Sequence, residues 1–256
     1  MSLINVKFNH NILVRSFQIL NHCLLILGLV IVWYSQSYQF LVISLITYWI
    51  IGLLGINVGY HRLLSHRSFK TFKIVEYFLS LIGVITTVGS PLAWIAIHRQ
   101  HHRKTETSDD PHSPYVVGNV KAWFGFWKVK QLDIKLIRDV KECRFQRFLH
   151  RYYFIIILTY CTILYFIDPF LIIFVYAIPA CLCLHSTSAI IVIAHRHGYK
   201  TYNLKNDESR NSWIANLITL GEGWHNNHHA KPYAWSNWER WWEWDIPSLI
   251  IRFIKK

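Results

Sequence analysis

The sequence contains little that would support thiol, phosphate-binding or nucleic-acid chemistry. Its 256 residues include five cysteines, and no two of them form a C-x-x-C pair, so disulfides, thiolate zinc and iron–sulfur clusters have no support. Neither a glycine-rich phosphate loop nor an internal repeat is present. Acidic residues are scarce, with 14 against 27 lysines and arginines, yet no nucleic-acid-binding motif accompanies the basic charge. We therefore expect no nucleic-acid partner.

Apolar residues, in contrast, are more abundant than a single soluble core of this length needs. Hydrophobic residues make up 53% of the chain and aromatic residues 16%. A helix that spans a membrane needs about 17 to 25 mainly apolar residues, and four segments meet or approach this length. These segments are residues 19–34, 40–60, 152–167 and 170–194. The sequence therefore predicts an all-α, multi-pass integral membrane protein with four transmembrane helices.

Eight histidines stand in three clusters. The second and third clusters both read H-x-x-H-H, and residues at i, i+3 and i+4 share one face of a helix, so we expect each cluster to point three imidazoles one way. The i, i+5 spacing of the first predicts a helix end, or ligands for two different ions. Imidazole is a preferred ligand of iron, zinc and copper, and one tetrahedral zinc takes four ligands, so eight imidazoles indicate two ions. The clustered residues are His61, His66, His98, His101, His102, His225, His228 and His229.

A fifth apolar stretch, residues 74–97, joins the first cluster to the second. If this stretch crossed the bilayer, the two clusters would end on opposite faces of the membrane. We therefore expect a re-entrant or interfacial helix pair, broken at Gly89-Ser90-Pro91. The alternative is an ordinary fifth span.

The placement of positive charge supports four spans. The two connections that would lie outside the cell, residues 35–39 and 168–169, contain no lysine or arginine. All 27 cationic residues then lie on one side, which the positive-inside rule identifies as cytoplasmic. Both termini and the three histidine clusters are expected on that side, in a cap above the membrane.

The motifs of this chain resemble those of the membrane-bound, histidine-box fatty acyl desaturases over about residues 43–244. The sequence resembles the delta-9 desaturases of bacteria and plants more than the animal acyl-CoA enzymes. The matching segments are GYHRLLSHR at 59–67, HRQHH at 98–102, DPHS at 110–113, GEGWHNNHH at 221–229 and WWEWD at 241–245.

This resemblance implies one desaturase domain over residues 1–256, with a cytoplasmic helical cap that holds a dimetal site. It adds His195 as a ninth metal ligand and makes His112 a candidate for orienting a ligand. The implied cofactor is two iron ions, for which zinc can substitute in a purified sample, and dioxygen is the co-substrate. The other histidines are expected to have polar surface or hydrogen-bonding roles. They are His10, His22, His150, His185 and His197.

The resemblance also implies a bent tunnel for the acyl chain. Trp94 and Thr187 match positions that shape the bend, and Trp49 falls where the family sets the tunnel floor, which would limit chain length. The chain departs from the family pattern at Ile191, where an asparagine is usual. It departs again at Ala96-Ile97, where the animal acyl-CoA enzymes have an Arg-Asp pair, and over residues 122–127 of the cap.

The expected reaction is insertion of a cis double bond, at the delta-9 position, into a saturated acyl chain. The acyl carrier is expected to be a membrane lipid, acyl-carrier protein or coenzyme A, and the external electron donor ferredoxin or cytochrome b5. A related di-iron acyl hydroxylase or acetylenase is one alternative. A membrane metal transporter is another, although transport ligands lie near the bilayer midplane, whereas these clusters stand near the ends of the apolar segments.

Overall fold

The computed structural model describes residues 12–126 and 132–256, and helices account for all the regular elements there. The long helices are α1 (Ile12–Ser35), α2 (Gln39–Ile51) with a π-helical continuation over Gly52–Ser65, α9 (Tyr153–Ile167), and α10 (Ile178–Arg196) after a π-helical segment over Ile172–Ala177. The shorter helices are α3 (Lys73–Ile85), α4 (Pro91–Lys104), α5 (Pro114–Val117), α6 (Asn119–Trp123), a 3-10 turn (Ile134–Ile137), α7 (Arg138–Glu142), α8 (Arg144–Arg151), α11 (Trp213–Thr219), α12 (His225–Ala230) and α13 (Ile246–Ile254).

Among the described residues, three helices are long and apolar enough to cross a membrane. They are Leu13–Ser35, Gln39–Ser65 and Ile172–Arg196. The third predicted span, α9, has 15 residues and is therefore about 22 Å long, which is less than a typical hydrocarbon core. Helix α9 is long and apolar enough to cross a membrane only when it is counted together with α8, and the two helices are bent by 71° relative to each other. By length and composition the predicted four apolar segments thus give three or four spans.

Residues 74–97 form two short helices rather than one long one. Helix α3 has 13 residues and α4 has 14, so each is about 20 Å long and too short to span a bilayer alone. The chain breaks at residues 86–90, where Gly89 has a φ of +136°, and Pro91 begins the next helix. The break occurs where the sequence predicts it.

Close backbone packing brings α3 against the π-helical part of α2. A Cβ atom added to Gly55 would lie 2.7 Å from the backbone nitrogen of Gly83, so only glycine permits this approach. Helix α10 contacts α1, α2, α6 and α11. Four elements therefore meet at one end of the bundle and carry the nine histidines. They are the π-helical segment Gly52–Ser65 with the residue after it, α4, the end of α10, and α12.

Candidate metal centre

The nine predicted histidines lie together in two groups. The ligand atoms within each group are within 4.8 Å of one another. The first group contains five histidines, His61, His66, His98, His102 and His228, and the second contains four, His101, His195, His225 and His229. Among the other described histidines, His112 contacts His101 of the second group, and the rest belong to neither group. His10 lies outside the described residues.

Helix geometry explains how the boxes divide. His98 and His102 are four residues apart and face the same group, whereas His101 faces the other. In α12 the pair at i and i+4, His225 and His229, likewise stays together. Successive residues are rotated by about 100° around an α-helix, so the i and i+4 side chains nearly align while the i+3 side chain points elsewhere. The expectation that the second and third boxes each point three imidazoles one way was therefore wrong, because each of these boxes divides between the two groups. The first box lies wholly in the first group.

The imidazole nitrogens converge on two centres. In the first group, the Nε2 atoms of His66 and His98 are 2.7 Å apart, and Nε2 of His228 is 3.1 Å from that of His61. In the second group, the Nε2 atoms of His195 and His225 are 3.1 Å apart. The Nε2 atoms of His101 and His229 are buried and have no hydrogen-bond partner among the described residues. Unpaired buried nitrogen lone pairs are costly unless an ion binds them.

Burial keeps several of these histidines in the form that binds metal, whereas Asp110 outweighs burial at His101 and raises the pKa of that residue. Burial lowers the pKa of His98, His102 and His228 well below the usual value, with the neighbouring histidines adding to the effect. It also lowers the pKa of His229 to about 4, although Asp207 opposes this shift. A metal ligand must be the neutral imidazole, so the site is suited to hold cations near neutral pH.

Four carboxylates orient the imidazoles from behind. A carboxylate that accepts a hydrogen bond from Nδ1 leaves the Nε2 lone pair directed at the centre of the group. The four contacts are His61 with Glu222 at 2.9 Å, His101 with Asp110 at 2.9 Å, His195 with Glu106 at 2.8 Å, and His229 with Asp207 at 2.6 Å.

Sequence reasoning missed these four carboxylates as a set. Glu222 and Asp110 stand inside matched motifs, so their positions carried a signal. Glu106 and Asp207 have no such signal, because their contacts are with histidines 89 and 22 residues away in the chain. Burial would raise the pKa of Asp110, but the neighbouring His101 holds it well below its usual range. Asp110 therefore stays ionised and accepts the hydrogen bond from Nδ1 of His101.

The two asparagines of the third box hold α12 in position. Backbone nitrogens of Asn226 and Asn227 donate to Oδ1 of Asn211 at 3.0 and 3.2 Å, which caps the start of the helix. The Asn227 side chain donates to Glu243 at 3.0 Å. In the H-N-N-H-H box, the histidines thus contribute to the two imidazole groups while the asparagines anchor α12.

His112 lies beside the second group. Its ring centroid is 4.6 Å from that of His101, and its Nδ1 is 3.9 Å from Asp110. Burial, followed by the repulsion from His101, lowers the pKa of His112 to about 3. These contacts suit the orienting role that the resemblance implied.

A cavity of about 210 Å³ adjoins both groups. Its wall includes His112 and five of the nine grouped histidines, and Trp94, Thr187 and Ile191 also line it. The Trp94 ring stacks on His98, with 4.9 Å between the centroids. Most of the remaining wall is apolar, so the space suits a hydrocarbon chain held against the imidazoles.

Trp49 does not line this cavity, and its side chain is 40% exposed on the outside of α2. The placement disagrees with its expected position at the tunnel floor. The π-helical turns that begin at Gly52 contain more residues per turn than an α-helix, so α-helical periodicity does not relate Trp49 to His61.

The family model for fatty acid desaturases matches residues 35–249. This chain belongs to the fatty acid desaturase family. It is 33% identical to an sn-1 stearoyl-lipid 9-desaturase of Anabaena variabilis, over 83% of this chain and 79% of that protein. It is 35% identical to an sn-2 palmitoyl-lipid 9-desaturase of Nostoc sp. (strain 36), over 86% and 79% of the two chains. It is also 34% identical to delta-9 acyl-lipid desaturase 1 of Arabidopsis thaliana, over 87% and 74%.

Family membership confirms the resemblance that the histidine boxes indicated. The desaturase is an oxidoreductase that acts on acyl chains, and its apolar helices are those of a membrane protein.

Proposed function

We propose that this desaturase inserts a cis double bond at the delta-9 position of a saturated acyl chain that is esterified to a membrane lipid. The names of the Anabaena, Nostoc and Arabidopsis relatives support both the position and the lipid carrier. Ala96 and Ile97 fit a lipid or acyl-carrier-protein carrier, since the animal acyl-CoA branch has a charged pair there. The reaction consumes dioxygen and two electrons per double bond.

The nine histidines are proposed to hold two iron ions, five at one ion and four at the other. The observation that carries this assignment is the division of nine buried imidazoles into two groups whose Nε2 atoms converge beside an apolar cavity. Bound iron would activate dioxygen for oxidation of the acyl chain, which no protein side chain can do. An all-nitrogen ligand set also distinguishes this site from carboxylate-bridged di-iron bundles.

The residues of the chain position the acyl group and keep water out. Trp94 and Thr187 flank the cavity beside the histidines, so they are proposed to fix which two carbons of the chain face the metal centre. The carboxylates behind the imidazoles hold the ligand geometry as substrate enters and leaves. Placement of the chain thus decides the position of the double bond.

The whole chain is proposed to form one desaturase domain. Four spans carry a helical cap on the cytoplasmic side, where both termini and the metal centre lie. The absence of lysine and arginine from the two short connections supports this orientation. Electrons come from a separate carrier, ferredoxin or cytochrome b5.

Hydroxylation or acetylenic bond formation is the second candidate. It is favoured by Ile191, which lines the cavity one turn before His195, where the family usually has an asparagine. The same active centre would then act on the same chain with a different outcome.

Expression in a host with known lipids, followed by mass spectrometry of double-bond positions, tests the proposal. We expect new delta-9 double bonds in lipid-linked chains, and their loss in His228→Ala. His197→Ala is the matched control, because this histidine is exposed and two residues from His195, and it should retain full activity. Hydroxylated or triple-bonded products would favour the second candidate, and full activity of His228→Ala would refute the metal assignment.

A further inference from the structure

A second depression lies on the surface of the cap. It has a volume of about 820 Å³, and its floor includes three of the proposed ligands, His66, His102 and His229. The walls come from the ends of the π-helix and α4, the 3-10 turn, α7 and the loop after α12. We call this depression the basic pocket, because its cationic lining residues are Arg67, Arg99, Arg103, Lys135 and Arg138.

The basic pocket and the acyl cavity reach the metal centre from different sides. The acyl cavity is lined by His61, His98, His101, His195 and His225. No lining residue is shared between the two, so the ligand set itself separates them. A molecule in the basic pocket therefore approaches the centre without displacing the acyl chain.

The lining of the basic pocket carries a net positive charge. Among the described residues, five cationic side chains line it against two acidic ones, Asp139 and Glu142. Asp139 is occupied by Arg99, to which it is bonded at 2.7 Å, and by Arg67. Arg138 pairs with Glu142 at 3.2 Å and Arg103 with Asp133 at 3.0 Å, although the side chain of Arg138 is 85% exposed. Lys135 is exposed as well. With these partners counted, the five cationic residues still outnumber three acidic ones, so the rim keeps a net positive charge.

An aromatic residue completes the rim. Tyr233 lines the pocket and is strongly exposed. Tyrosine and arginine are enriched in protein interfaces, whereas a simple solvated surface carries mainly lysine and glutamate. The pocket therefore has the composition of a small docking site.

We propose that the basic pocket docks the acidic face of a one-electron carrier protein, and that electrons enter the metal centre through His66, His102 and His229. The inference rests on the proposed function, because only a metal-loaded desaturase needs electrons. Each encounter oxidises the carrier by one electron. Two encounters, together with two hydrogens from the acyl chain and two protons from water, reduce one dioxygen to two waters.

An acidic acyl carrier is the competing occupant, and the arrangement of the cavities disfavours it. Its acyl chain would have to pass through the ligand set to reach the cavity lined by Trp94 and Thr187. An electron needs no such passage. Small, charged interfaces are also typical of electron-transfer complexes, which must dissociate after each transfer.

The test measures binding of an acidic plant-type ferredoxin, and separately of the soluble domain of cytochrome b5, to the metal-loaded enzyme in nanodiscs. The variant is Lys135→Glu/Arg138→Glu, which reverses two rim charges outside the ligand set. The control is Lys205→Glu/Arg252→Glu, which makes the same charge change at two exposed residues that do not line the pocket. Lys135→Arg/Arg138→Lys preserves the charge.

At about 50 mM salt we expect the pocket variant to bind at least one carrier about 10-fold more weakly, and the difference to vanish at high salt. The control and the charge-preserving variant should bind like the wild type. Equal binding by the pocket variant, an equal loss in the control or the charge-preserving variant, or no binding of either carrier to the wild type overturns the inference.

A single-turnover measurement separates this inference from the proposed function. Enzyme that is first reduced completely with a chemical reductant, and then given lipid substrate and dioxygen, should form the same amount of double bond in wild type and pocket variant. If reduced wild type forms none, the proposed function fails while the binding result still decides the docking site. A loss of single-turnover product in the pocket variant alone would show a role within the centre and overturn the docking inference.

Discussion

Arg62 provides the most demanding test of how the site is held together. Its side chain is 1% exposed and lies between two buried carboxylates. The guanidinium donates to Glu222 at 2.9 Å, to Asp245 at 2.8 Å and to the backbone oxygen of Trp235 at 3.0 Å. The Nδ1 atom of His61 lies 2.9 Å from Glu222, so Arg62 links the ligand set to the segment before α13.

Replacing Arg62 with methionine keeps most of the side-chain volume and removes the charge. Asp245 would retain the backbone donors of Asn237 and Ser248, at 2.8 and 3.1 Å. Glu222 would lose its arginine partner and keep, among the described residues, its contact with His61. Removing one partner from a buried ion pair costs about 3 to 5 kcal/mol of the free energy of unfolding. For a chain of this size that corresponds to a fall of about 10 °C in the unfolding temperature.

The measurement is thermal unfolding in detergent at a fixed scan rate, with iron in excess in both samples. Arg67→Met is the matched control, since this arginine is also ion-paired but its side chain is 60% exposed. Exposed ion pairs contribute about 0 to 1 kcal/mol, so the control should melt within about 3 °C of the wild type. If the unfolding temperature of Arg62→Met also lies within about 3 °C of the wild type, the ion pairs of Arg62 with Glu222 and Asp245 do not stabilise the fold.

Two other substitutions test the ligand support and the cavity. Asp207→Asn should weaken iron retention about 10- to 100-fold, because His229 loses its carboxylate partner; chelator titration with metal analysis measures this, and exposed Asp109→Asn is the control. A release curve equal to that of the wild type would contradict the orienting role. Thr187→Trp should shift products to shorter chains because it fills the cavity, whereas Trp49→Ala should leave the chain-length profile unchanged. Longer products from Trp49→Ala would restore the tunnel-floor assignment.

Much of the architecture could be predicted because the relevant signals are local in the sequence. Apolar runs identify helices that suit a bilayer, and Gly89-Ser90-Pro91 marks a break whatever the chain packs against. The histidine boxes likewise predicted that metal ligands would come together, and family membership confirms the class of enzyme. Residue type and short spacing were sufficient for these conclusions.

Other features depend on how distant segments meet, and they became visible only in the fold. The partnerships of Glu106 with His195 and of Asp207 with His229 join residues that share no periodic pattern. The position of Trp49 depends on the π-helical turns that follow it, whose phase a hydropathy pattern does not reveal. The amino-acid sequence alone therefore determined which histidines are candidate metal ligands, because imidazole chemistry and box spacing are local properties. Tertiary packing decided which of these histidines share a group, which carboxylates contact them and which side chains line the apolar cavity, because these depend on the rotation and contact of helices far apart in the chain.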